Sequence, residues 1–410
     1  MSSEFGLAIK KPIAAWNKPL KANFRDIFAA LGNAGFNAAT GQWTGLGENA
    51  IDLLSAVGLE DQGPAELAWV LIYRSLTQAI GKLMADSEFL IQYVEQNLDE
   101  LADTLDLSLE NGELEISDSF FRCPDQLPLL EDIQIPLAQW FQGFGLTEIQ
   151  AMTLARRLPS YFVFALNSEW KTRPQDYSYL NEQIKTPFTQ AAEEQRGWNL
   201  YNAWLCQQVE EPMMLEAFGL QDVYVKPRAY FRQLDRNDND DFRRQNRQQR
   251  FKRVVVDLET ELRQWLCRAD KDDAIRVISG DPGSGKSSFA KIFAASHSRQ
   301  TDPQLDFQVM FVPLHHLDFE GDLLAAVAEF ASYDEYIVSD PIDKDDHNQR
   351  RFLIFDGLDE LAMQGKLSRE AAQKFVKDVR DEVNRFNGVA ELGDDSEGDW
   401  DLPKLEIVNQ

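Results

Sequence analysis

The chain has 410 residues, of which 44% are hydrophobic, 27% charged and 11% aromatic, the composition of a soluble globular protein of about two or three domains. Low-complexity, collagen-like and disulfide-scaffold classes are excluded. With 41 Lys+Arg against 68 Asp+Glu, the formal net charge is -27, a field that repels phosphate backbones and argues against general nucleic-acid binding.

At the N-terminus, Lys10, Lys11, Lys18 and Lys21 interrupt every apolar run, so no signal peptide can form. The most apolar stretch, Leu67 to Tyr73, falls far short of the ~20 residues a membrane span needs. Both features point to a cytoplasmic protein without a membrane partner. Cys123, Cys206 and Cys267 are far apart and form no CxxC, which suits a reducing compartment. His297, His315, His316 and His347 show no metal-ligand spacing and read as surface or structural residues.

Residues 1–220 read as a mostly helical region, a candidate effector or adaptor. Helix-like apolar spacing occurs at Asp26 to Leu31 and Ile51 to Val57, and over a longer segment from Glu66 to Leu105. From Asp86 to Asp132 there are fourteen acidic residues and one basic, Arg122, read as a solvated helical face with loops. Tyr161 to Leu166 fits a strand or a buried helix. The Glu169-Trp170-Lys171 triplet after it has the form metal-dependent nucleases use, but no acidic residue on a neighbouring strand accompanies it.

Residues 221–253 read as a linker. Val223 to Pro227 is expected to be extended because Pro227 disfavours helix in its predecessor. Asn237 to Asp241 reads as an exposed loop. Arg243, Arg244, Arg247, Arg250, Lys252 and Arg253 form the chain's one basic cluster.

Residues 254–410 carry the chemistry. The short apolar strand Ala274 to Ser279 runs into Gly280-Asp281-Pro282-Gly283-Ser284-Gly285-Lys286-Ser287, a full GxxxxGK[ST] match, and Ser288 to Phe293 continue as a helix. The glycines let backbone N–H groups wrap a phosphate, with Asp281, Pro282, Ser284 and Ser288 completing the loop. Lys286 brings a point charge to the β- and γ-phosphates and Ser287 a hydroxyl to Mg²⁺. The helix N-terminus favours the anion.

A second motif follows. Phe307 to Val312 is expected as a strand and Asp322 to Phe330 as a helix. Phe352-Leu353-Ile354-Phe355 is a buried-strand run ending in Asp356, a carboxylate expected beside the P-loop strand and able to hold Mg²⁺. Glu360 is the expected base that orients or deprotonates the attacking water, with Asp359 assisting; their assignments are interchangeable from sequence. This predicts an α/β P-loop NTPase, a parallel sheet flanked by helices. Nucleic-acid motors and kinases share the P-loop and stay open as alternatives, as does ATP against GTP.

The P-loop, the strand Phe352 to Phe355 and the run Asp356-Gly357-Leu358-Asp359-Glu360-Leu361 resemble the NACHT clade of STAND NTPases. Val312-Pro313-Leu314, Met363 to Lys366, and Asp222 to Val225 with Arg228 extend the likeness over about 220–410, with the N-terminal half similar only loosely. The resemblance implies a nucleotide switch that exchanges ADP for ATP with Mg²⁺, self-assembles on activation and, in bacteria, serves antiphage defence. A non-hydrolysing adaptor is the alternative. The helix Ser368 to Phe386 is amphipathic, and Leu405 to Val408 is the last strand candidate. No sensor arginine or winged-helix module follows it, so the domain is expected to be C-terminally incomplete.

Overall fold

The computed structural model describes residues 7–9, 64–86, 114–116, 120, 123–143, 145–177, 190–212, 218–234, 251–268, 270, 273–298, 307–317, 322–333, 350–358, 366–387 and 404–408. The helices expected at 26–31 and 51–57, the loop at 237–241, most of the basic cluster, and Asp359 and Glu360 lie outside these residues. The chain divides into two compact units that part between Gly219 and Leu220.

The first unit is helical. A short antiparallel ladder pairs β1 (Leu7–Ile9) with β2 (Leu114–Ile116). Helix α1 (Pro64–Ala85) opens on a proline, whose missing N–H costs nothing in a first turn. Helices α2 (Pro128–Asp132), α3 (Gln134–Gln142), α4 (Glu148–Ala155), α5 (Leu158–Thr172) and α6 (Gln190–Glu210) follow. Thr147 caps α4 reciprocally with Gln150, satisfying two otherwise orphaned donors. The core packs α1 along α5, with Leu71, Ile72, Ile80, Leu137, Trp140, Phe141, Leu158 and Phe162 buried.

The apolar run Tyr161 to Leu166 is thus helical, not a strand. It lies within a 15-residue helix that buries Leu158, Phe162, Val163, Ala165, Leu166 and Trp170, which is why its polarity hides the helical period. Glu169 sits on the same helix, 2% exposed. Its carboxylate accepts from Tyr177 Oη at 2.7 Å, Gln78 Nε2 at 2.7 Å and Arg74 Nη1 at 3.3 Å. The triplet is therefore a packing device, with a carboxylate already saturated by protein donors.

The second unit holds two parallel pairings. Helix α7 (Leu220–Val223) leads to β3 (Arg228–Leu234), which pairs antiparallel with β4 (Phe251–Asp257). Parts of the expected linker are therefore strand, and Val223, expected to be extended, ends a helical turn. Then come α8 (Leu258–Arg268), β5 (Val277–Ser279), α9 (Lys286–Ser298), β6 (Gln308–Pro313), α10 (Leu323–Tyr333), β7 (Arg351–Asp356), α11 (Lys366–Asn387) and β8 (Lys404–Val408).

Among the described residues, one sheet has the order β4-β3-β8-β5 and a second pairs β6 with β7. The β5–β8 and β6–β7 ladders are parallel, as the α/β reading expects. The strand hydrogen-bonded to the P-loop strand is β8, whereas the sequence reading places β7 beside it. One core joins the two sheets: Leu258, Leu262, Trp265 and Leu266 of α8 and Phe289 and Phe293 of α9 pack with Phe231, Val256, Ile278, Phe307, Phe352 and Ile354. Phe352 meets Trp265, Phe293 and Phe307 edge-on, an arrangement aromatic rings favour.

Candidate functional site

Between β5 and α9 the backbone turns through Gly283 at φ 77° and Gly285 at φ 84°. L-residues with a Cβ avoid this region, so the loop's path requires glycine. A Cβ built on either would meet nothing within 4 Å, so the space beside the loop at these two positions is open. Ser284 N–H donates to the Asp281 carbonyl at 3.1 Å, and Phe289 N–H to the Gly285 carbonyl at 2.8 Å, so the turn passes directly into helix. Asp281 and Pro282 are exposed, and Gly280, Ser284, Lys286 and Ser288 half-buried. Ser284 Oγ is buried and makes no hydrogen bond, an orphan that a phosphate oxygen would satisfy.

Lys286 Nζ donates to the Gly280 carbonyl at 2.8 Å and the Asp281 carbonyl at 3.3 Å. The ammonium therefore folds over the loop that a phosphate would fill. Next to it, Ser287 Oγ donates to Asp356 Oδ1 at 3.0 Å. This contact brings the two motifs together across 69 residues of chain, although β7 is not in the ladder of β5. Gly357, immediately after Asp356, has φ 97° and turns the chain away from the strand end. Its conformation marks a sharp corner that only the smallness of the residue announces in the sequence.

The structure thus brings together the P-loop, Lys286, Ser287 and Asp356. The sequence reading placed Ser284 in the phosphate loop; that its hydroxyl is buried without a partner is visible only in the structure. Among the described residues, no group of three or more His, Cys, Asp or Glu could hold a metal ion by itself. Ser287 and Asp356 supply two oxygens side by side, which suits a hard cation that takes its other ligands from phosphate and water. Among the described residues, no helix is long and apolar enough to cross a membrane.

Family models accord with this arrangement. The NACHT N-terminal helical domain 3 matches residues 14–220, half of the chain. The NACHT domain matches residues 275–379, a span that contains the P-loop and Asp356. No curated protein and no solved structure matches the chain. The helical half, which the sequence reading linked to the family only loosely, is thereby a recognised companion of NACHT domains, and its matched span closes where the two compact units part. The chain belongs to the NACHT-type STAND NTPases, with a NACHT N-terminal helical domain ahead of a P-loop nucleotide-binding domain.

Proposed function

We propose that this protein is a nucleotide-operated signalling switch that binds ATP and ADP with Mg²⁺ and hydrolyses ATP slowly. The reading rests on the hydrogen bond between Ser287 and Asp356, beside a lysine and an open glycine loop. In it, N–H groups of the loop from Gly280 to Ser288 hold phosphate oxygens and Lys286 leaves its carbonyl partners for them. Ser287 and Asp356 hold the metal, which neutralises phosphate charge when bound. Glu360, with Asp359, orients the attacking water or takes its proton. Residues 1–220 act as the effector or adaptor module, 221–253 join it to the NTPase domain at 254–410, and the output is self-assembly in the cytoplasm, in the service of antiphage defence.

The test is nucleotide binding and phosphate release by the full chain. Lys286→Ala should abolish binding of both nucleotides, and Glu360→Gln should keep binding while slowing turnover. Unchanged ATP affinity in Lys286→Ala overturns the reading. Tight ADP binding with no phosphate release selects the alternative of a non-hydrolysing adaptor. Turnover stimulated by DNA or RNA would instead indicate a nucleic-acid motor. Particle mass in each nucleotide state tests self-assembly, and phage challenge of cells carrying wild type or Lys286→Ala tests the defence role.

A further inference from the structure

The turn at the end of β6 has no part in the function so far. The chain there forms a single 3₁₀ turn, Leu314–His316, closed by Leu317 N–H donating to the Leu314 carbonyl at 3.1 Å. Leu314 is fully buried and Leu317 nearly so, at 0% and 8% exposure. Between these two anchors His315 and His316 are exposed. Their ring centroids lie 4.1 Å apart, and His316 stacks on Phe330 of α10 at 6.2 Å with the planes 25° apart. The two imidazoles are held in place on a firm turn.

Three contacts place this turn relative to the P-loop helix. At its start, α9 touches the end of β7 through Ser287 and Asp356. Further along, Phe293 meets Phe352 near the start of β7 at 6.1 Å. At its end, His297 stacks on Phe307, just before β6, at 5.9 Å. Helix α9 therefore runs antiparallel to β6 and β7. Its 13 residues span about 18 Å at ~1.5 Å each, and Phe307 to Pro313 spans about 20 Å at ~3.3 Å per step. Lys286 and Ser287 thus stand level with Pro313, whose ladder partner is Asp356. The histidine turn begins at the next residue.

Pro313, the last residue of β6, pairs with Asp356, so the turn leaves the sheet at the carboxyl edge, one residue past the level of Asp356, where α/β sheets bind ligands. Ser287 and Asp356 would hold a metal that neutralises charge on the terminal phosphates, which would make this edge the terminal-phosphate side.

We propose that His315 and His316 form the wall of the nucleotide site at the terminal phosphate, presenting imidazole N–H donors to the γ-phosphate so that the site distinguishes triphosphate from diphosphate. This rests on the nucleotide reading above and adds to it the group that reads the phosphate count.

The test uses the full chain with Mg²⁺ and two probes, ADP and adenosine 5′-(β,γ-imido)triphosphate, by calorimetry. The double variant His315→Ala/His316→Ala should bind the triphosphate about tenfold more weakly and ADP within twofold of wild type, since a hydrogen bond to a charged group is worth that much. His315→Gln/His316→Gln keeps N–H donors and should retain most of the preference. Equal weakening of both nucleotides in the alanine variant, or no change in either, overturns the proposal while leaving the nucleotide reading intact. A wild-type chain that binds neither probe, and so matches Lys286→Ala, overturns the nucleotide reading and this inference with it.

Discussion

Ser287 Oγ donates a hydrogen bond of 3.0 Å to Asp356 Oδ1, joining the first turn of α9 to the last residue of β7. Both groups are oxygen ligands of the kind magnesium prefers, and among the described residues neither is committed to another element. Removing the carboxylate charge should therefore separate metal-dependent from metal-independent binding. In Asp356→Asn, Mg²⁺ should no longer enhance ATP affinity, at a cost of about tenfold or more, while binding in EDTA stays near wild type. Titration with and without Mg²⁺ reads this out, and an undiminished Mg²⁺ enhancement would remove Asp356 from the site.

Gly285 has φ 84° and open space where a Cβ would stand. A Gly285→Ala variant therefore meets no neighbour and bears only the backbone cost of the left-handed region, about 1–2 kcal/mol. The melting temperature of the second unit should fall by a few degrees, and nucleotide affinity should fall more than stability does. Wild-type affinity with lowered stability would show that the loop's shape matters to the fold alone.

His297 is 4% exposed, lies over the ring of Phe293 and stacks on Phe307. Its Nδ1 bonds to the Phe293 carbonyl at 2.8 Å, and Nε2 has no partner. Burial pushes the imidazole down to about 4, with nearby Arg263 reinforcing the shift, while the Phe293 carbonyl and Glu259 oppose it. Because the folded pKa lies below the unfolded one, the neutral ring's contribution is complete above about pH 6.5 and is lost as pH falls toward 4. Its full extent is about 3 kcal/mol. Urea unfolding between pH 8 and pH 4 should show the loss, and His297→Leu should remove that part of the pH dependence. A variant as acid-sensitive as wild type would refute the assignment.

In the helical unit, Arg74 Nη1 reaches Glu169, Asp176 at 3.1 Å and Tyr177 Oη at 3.1 Å. Glu169 and Arg74 are each 2% exposed. Truncating Glu169 leaves the buried Arg74 with only the part-exposed Asp176 as counter-charge, so Glu169→Ala should destabilise this unit by about 3 kcal/mol. Replacing both, as Arg74→Met/Glu169→Leu, should recover most of that loss. Chemical denaturation checks it, and a double variant no better than the single one would show that the network holds the fold by something beyond charge pairing.

The P-loop was legible from eight residues because its chemistry is local. Glycines at two left-handed positions, a lysine and a hydroxyl specify their own backbone path, whatever surrounds them. Asp356 was legible for a similar reason, as a carboxylate ending a short run of apolar residues. The segment Tyr161 to Leu166 was not, since a helix buried on most faces loses the polar positions that reveal its period. The Glu169-Trp170-Lys171 triplet, discounted as a metal motif, showed nothing of its structural role, because the partners of Glu169, Arg74 and Gln78, lie 95 and 91 residues away.

By itself, then, the sequence determined the phosphate loop, the acidic strand end and the order of the helices and strands it named from the P-loop strand onward. Each depends on neighbours a few residues apart. Tertiary structure alone decided that β8 lies beside β5, that Ser287 meets Asp356, and that Pro313, just before the turn of His315 and His316, pairs with Asp356. Strand order and the alignment of a helix over two strands follow from burial among Phe293, Phe307 and Phe352, and side-chain packing between distant segments leaves no periodicity to read.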